Sequence, residues 1–212
     1  FCAVDLSAFY LDILKERVYT SAPRSFARRA AQTAMHEILD ALVRLMAPVL
    51  SLTADEVWQL MPKKGGEPES VHLAELPAVR SDLLDDALET RWETLMSVRD
   101  EVLKALEVAR KAKLIGTSLE AGVELLAIPE WLALLTRYEG DLPMLFIVSS
   151  VSLGSLAATG AAERKVEVRV RRAAGQKCAR CWTFSESVGR SIRDPEVCAR
   201  CAAVLEEIGY RG

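Results

Sequence analysis

Cys178-Ala179-Arg180-Cys181 and Cys198-Ala199-Arg200-Cys201 are two copies of one tetrapeptide separated by 16 residues. They decide how the carboxyl end of this chain can fold. C-x2-C-x16-C-x2-C is the spacing of a tetrathiolate zinc site, in which each pair wraps two sulfurs around one side of the ion. The intervening stretch is long enough for a turn and a returning strand that bring up the second knuckle. All four positions are cysteine, so no coordination site is left for an activated water, and one structural Zn2+ is expected rather than a catalytic one. The alternatives are two disulfides or unliganded thiols. A fifth cysteine, Cys2, makes the count odd, and no signal peptide opens the sequence, both of which speak against an oxidised secreted framework and for a cytoplasmic setting. The module spans residues 175–212, with Pro195 to Ile208 expected to be helical. It is too short to bury enough apolar surface by itself, so metal coordination should supply much of its folding free energy.

Outward from the knuckles, Val166, Val168 and Val170 alternate with Glu167, Arg169 and Arg171, the period of a half-buried strand. Before it, Val123 to Ile128 and Met144 to Leu153 read as strands and Pro129 to Tyr138 as a short helix. A Gly/Ala-rich connector runs from Gly154 to Ala162. Residues 115–174 thus form a small α/β junction unit.

Residues 1–114 read as a helical bundle. Phe9, Ile13 and Val18 share one face of a segment from about Leu6 to Tyr19. Phe26, Ala30, Ala34, Ile38, Leu42, Leu45 and Val49 recur every three or four residues as a buried stripe, ending at Pro48. Thr53-Ala54-Asp55-Glu56 has the form of a capping box opening a short helix with Val57, Trp58, Leu60 and Met61. A second long helix starts near Ser81 or Asp85 and runs to about Lys113. Its stripe is Leu88, Trp92, Leu95, Val98, Val102, Leu106 and Ala109. The fold class is therefore mainly α: a helical bundle, a small α/β unit and a four-cysteine zinc finger.

Net charge is −3 but unevenly spread: 11 Lys/Arg against 6 Asp/Glu from Arg164 onward, and 16 against 24 before it. A basic tail fits a polyanionic partner, or cations that merely offset the charge of a metal-thiolate centre. No apolar run reaches the length of a membrane span. The phosphate-cradling, dinucleotide, serine-nucleophile and H-E-x-x-H motifs are absent. His36 and His72 have no nucleophile or carboxylate at a recognisable spacing, so no catalytic residue is assigned.

The opening Phe1-Cys2-Ala3-Val4-Asp5-Leu6-Ser7-Ala8-Phe9-Tyr10-Leu11-Asp12-Ile13 resembles the anticodon-binding helical domain of bacterial isoleucyl-tRNA synthetases. So do Tyr19 to Pro23, Leu42 to Pro48 and Thr53 to Trp58. Ile115-Gly116-Thr117-Ser118-Leu119-Glu120-Ala121 is similar to the junction that follows that family's last long helix. Lys177-Cys178-Ala179-Arg180-Cys181-Trp182, with Cys198 and Cys201, resembles its terminal zinc finger. The resemblance implies a carboxyl-terminal fragment of an isoleucine–tRNA ligase that binds the anticodon stem-loop of isoleucine tRNA. It also implies a monomer, with ATP and Mg2+ used only in catalytic and editing domains upstream on the same polypeptide. A similar finger occurs in formamidopyrimidine-DNA glycosylases, whose proline-led amino terminus is missing here. A zinc-stabilised DNA-binding or protein-interaction module without a tRNA role is the alternative.

Unpaired anticodon bases are read by stacking and by hydrogen bonds to their exposed edges. Trp182, directly after the first knuckle, is the candidate stacking residue, and it equally suits a small core packed over the metal. Lys177, Arg180, Arg200, Arg171 and Arg172 around the finger, and Lys15, Arg17, Arg24, Arg28 and Arg29 in the bundle, could pair with phosphates. Each suits a solvated surface as well. Trp58, Trp92 and Trp131 sit on apolar helix faces and read as core.

Overall fold

The computed structural model describes residues 1–63, 65–156 and 165–210. The Gly/Ala connector predicted to run to Ala162 lies outside the described residues from position 157 on. The chain divides into two compact units, Pro23–Leu84 and a larger one made of Phe1–Ala22 with Asp85–Gly212.

The smaller unit is a helical hairpin with a cap. Helix α2 (Phe26–Met46) starts where the Ser25 hydroxyl accepts the Arg28 N–H, and α3 (Ser51–Leu60) folds back along it. Val43, Ala47, Ala54, Trp58, Met61 and Val71 form the core. Only the middle of the predicted α2 stripe holds. Ala34, Ile38 and Leu42 are half-buried, whereas Phe26, Leu45 and Val49 are exposed. The reason is α3, which packs over the Val43 and Ala47 side of the helix and leaves the Leu45 line in solvent. The capping box at Thr53 is also corrected. The helix begins at Ser51, with the Ala54 N–H bonded to the Leu50 carbonyl, so Thr53 already lies inside it. Asp55 instead accepts from the Ser70 hydroxyl (2.7 Å) and the Val71 N–H (3.0 Å), pinning the short turn Val71–Leu73 to α3.

In the larger unit the first segment, Cys2–Leu11, is wound as a wide π-type helix before α1 (Asp12–Thr20) takes ordinary α geometry. Phe9 meets Trp92 edge-on, with centroids 6.3 Å apart, and the Arg99 guanidinium lies over the Phe9 ring at 5.0 Å. Helix α4 (Asp86–Lys111) opens at Asp85, whose carboxylate accepts the Leu88 N–H. Leu95, Val98, Val102, Leu106 and Ala109 are buried as the periodicity predicts, whereas Trp92 is half-buried and Leu88, at the head of the predicted stripe, is exposed. A three-stranded sheet follows in the order β2-β1-β3: β1 (Ala121–Ala127) pairs parallel with β2 (Ser150–Ser155) and antiparallel with β3 (Val166–Arg172). Helix α5 (Pro129–Arg137) packs on β1 and β2, and α4 on β3.

The strand predicted over Met144 to Leu153 is half wrong. Leu142–Phe146 is a short helix, α6, with Pro143 in its first turn, and Ile147 reverses the chain at φ 56 before β2 begins. Proline has φ preset for a helix start and no N–H to give a strand ladder. The Leu-rich run therefore turns once and is buried at Leu142, Leu145 and Phe146.

Candidate metal centre and nucleic-acid interface

A two-stranded hairpin, β4 (Gln176–Lys177) with β5 (Phe184–Ser185), holds the first cysteine pair in its loop. The Cys178 N–H donates to the Thr183 carbonyl, and the Trp182 N–H returns to the Cys178 carbonyl, both at 2.9 Å. The hairpin therefore encloses the first knuckle, and residues 186–197 come back as turns rather than as the expected strand. Helix α7 (Ala199–Glu207) starts at Cys198, later than the predicted Pro195. The second pair thus sits at a helix amino terminus, where the local dipole favours thiolate.

The four sulfurs lie within 4.8 Å of one another, and all four residues are buried. Cys181 and Cys198 Sγ are 3.8 Å apart, far beyond the ~2.05 Å of a disulfide. That spacing matches the edge, about 3.8 Å, of a tetrahedron with Zn–S bonds of ~2.3 Å. Val197 completes the buried cluster, with Val188, Ala202 and Leu205 packed against it. The donor set itself calls for a cation. As bare thiols the four cannot ionise together: a hydrogen bond from Cys201 draws the Cys181 thiol well below its ordinary pKa, while that same bond and then burial push Cys201 up, and burial pushes Cys198 up. A divalent ion lets all four be thiolates at once. These residues fit a structural zinc, which would supply folding free energy and no reaction step.

Around the centre, Trp182 is 61% exposed and has φ 67, a left-handed conformation uncommon for a bulky residue. It does not pack into the finger's core. The Lys177 ammonium lies 5.6 Å from its ring centroid. Arg171 and Arg172 are exposed on β3, and Arg172 Nε donates to the Leu114 carbonyl at 2.9 Å.

Arg180 and Arg200 are committed elsewhere. Arg180 Nη1 donates to the Thr20 carbonyl (2.6 Å) and lies 3.6 Å from Cys201 Sγ, while Arg200 pairs with Glu16. Arg200's partial burial opposes its charge, but Glu16 and the Cys181 and Cys198 sulfurs outweigh that opposition and raise its pKa. Lys15 pairs with Asp12 at 2.6 Å and Arg17 with Asp141 at 2.9 Å. Arg24 and Arg29 are exposed and Arg28 half-buried, all in the smaller unit.

Sequence reasoning missed Thr183, whose hydroxyl lies 3.0 Å from Cys181 Sγ. It also missed Ser149, whose hydroxyl accepts the Phe184 N–H at 2.7 Å and donates to the Leu119 carbonyl. Thr183's place one residue beyond Trp182 was a usable signal; Ser149, 35 residues from Phe184, had none. Among the described residues no helix is long and apolar enough to cross a membrane.

Comparison with known proteins matches residues 1–125 to the anticodon-binding domain of tRNA ligase, and residues 175–204 to the zinc finger found in FPG and IleRS. The chain is 47% identical over 211 residues to the isoleucine–tRNA ligase of Desulforudis audaxviator, covering 97% of this chain and 23% of that protein. It is 49% identical over 212 residues to that of Syntrophotalea carbinolica, covering 98% and 22%, and 46% identical over 212 to that of Carboxydothermus hydrogenoformans, covering 100% and 23%. The chain thus spans less than a quarter of the length of these curated relatives. With the family model covering more than half of its residues, the chain belongs to the anticodon-binding domain family of tRNA ligases.

Proposed function

We propose that this chain is the tRNA-holding, carboxyl-terminal part of an isoleucine–tRNA ligase. In this reading it grips the anticodon stem-loop of isoleucine tRNA, and the ATP- and Mg2+-dependent joining of isoleucine belongs to other domains of the same protein. Three modules share the work: the helical bundle of residues 1–114, the junction of 115–174 and the zinc finger of 175–212. The observation that carries the reading is Trp182, an exposed indole on a knuckle whose backbone is fixed by two hydrogen bonds. A rigid, solvent-facing aromatic beside a cation is a platform for an unstacked base with its phosphate. Lys177, with its ammonium 5.6 Å from the indole ring's centroid, and the exposed Arg171 are the cations this reading assigns to the backbone.

The test is a set of binding titrations with isoleucine tRNA, the same tRNA with an altered anticodon, and duplex DNA. Preference for the intact anticodon supports the proposal. Equal affinity for all three, or preference for duplex DNA, contradicts it. Affinity should also fall with salt, with a log–log slope of about −0.7 per single-strand phosphate contacted.

A further inference from the structure

The two Cys-Ala-Arg-Cys repeats carry an arginine at the same place, and both arginines reach the same helix. Arg180, from the first knuckle, donates to the carbonyl of Thr20, the last residue of α1, and approaches the second knuckle's Cys201 sulfur. Arg200, from the second knuckle, pairs with Glu16, and the first knuckle's Cys181 sulfur helps to hold its charge. Glu16 and Thr20 are four residues apart, so they lie on one face of α1. The terminal carbonyls of a helix have no partner within it and carry partial negative charge. A tetrathiolate with one divalent ion has a formal charge of −2, which the two guanidiniums oppose, Arg200 being shared with Glu16.

We propose that Arg180 and Arg200 act as a crossed clasp, through which the metal-thiolate centre holds the carboxyl end of α1. Metal occupancy then sets the position of that helix as well as the order of the finger. The consequence reaches a cleft of about 340 Å³. Glu16 and Arg17 of α1, Asp141 before α6, and Ser185 and Arg200 of the finger all line it. Releasing the clasp removes the contact that keeps the α1 wall against the finger wall. The clasp also gives these two arginines a task other than phosphate pairing, so their loss should change metal affinity and α1 order while leaving the salt dependence of RNA binding in place.

Hydrogen exchange of the whole chain, zinc-loaded and after stripping with a chelator, tests this. Amides at the end of α1 (residues 17–20) are compared with those of residues 98–106 in α4. Stripping should speed exchange in the α1 segment by at least about tenfold while the α4 core keeps its protection. With zinc bound, Arg180→Ala and Arg200→Ala should each accelerate the same segment and weaken zinc binding by about 10–100-fold, the usual effect of losing a partner of a metal ligand. Arg180→Lys, which keeps the charge but cannot reach both acceptors, should restore metal affinity better than α1 protection. Unchanged α1 exchange in stripped protein whose finger has lost protection would overturn the proposal. So would simultaneous loss across α4, which would mean that metal removal unfolds the whole unit. The wild-type chelation experiment decides the matter even where a variant fails to fold.

Discussion

Gly175 lies so close to Ser185, across the hairpin that carries the first knuckle, that a Cβ on Gly175 would collide with the Ser185 carbonyl carbon. Its φ of 86 is also one that L side chains rarely adopt. Gly175→Ala should therefore cost more than the ~1–3 kcal/mol of a strained backbone alone and should weaken zinc binding, as read by chelator competition. Gly189 has a similar φ of 90 with nothing within 4 Å of a Cβ. Gly189→Ala should show the backbone cost without the loss of metal affinity.

Trp182→Ala removes an exposed ring that makes no contribution to the buried cluster of the finger. Zinc stoichiometry should be unchanged, and tRNA affinity should drop by about 1–3 kcal/mol, the usual value of one stacked base. Titration of tRNA alongside metal analysis measures both. Loosened zinc with intact tRNA affinity would make the ring a structural lid.

Leu125 is fully buried in the central strand β1, with β2 on one side and β3 on the other. Leu125→Ala should destabilise the larger unit by about 2–5 kcal/mol through lost transfer energy and a cavity, read as a lower urea midpoint.

Asp55 is held below the ordinary carboxylate pKa, chiefly by the Ser70 hydroxyl and then by the Val71 N–H. A carboxyl depressed in the folded state stabilises the fold at pH values above its unfolded pKa. That contribution fades as pH falls through the folded value. Acid should therefore release the Val71–Leu73 turn from α3, and Asp55→Asn should flatten this part of the stability–pH profile. Melting curves of both proteins between neutral and strongly acid pH provide the comparison.

Elements whose burial is decided by their own periodicity were legible in the sequence. The α4 stripe from Leu95 to Ala109, the alternation of Val166, Val168 and Val170, and the four cysteines all take their predicted places. What escaped was set by partners distant in the chain. The predicted α2 stripe follows that helix's own period, whereas the side that is buried, at Val43 and Ala47, is the one α3 covers. The run from Met144 is apolar as far as Val148 and so reads as a strand, but Pro143 just before it starts a helical turn. The tie from Arg180 to Thr20 joins residues 160 positions apart, and no local pattern announces it. The left-handed turn at Trp182, which keeps the indole in solvent, is likewise invisible in residue type.

In the proposed reading, one zinc ion held by Cys178, Cys181, Cys198 and Cys201 would order the finger that meets RNA. Native mass spectrometry of protein purified without chelator, followed by mild acid, tests this most directly. The account predicts a single zinc per chain, released as the thiolates take up protons, with α7 and the β4–β5 hairpin losing their order. A metal-free chain whose finger is still ordered would contradict it.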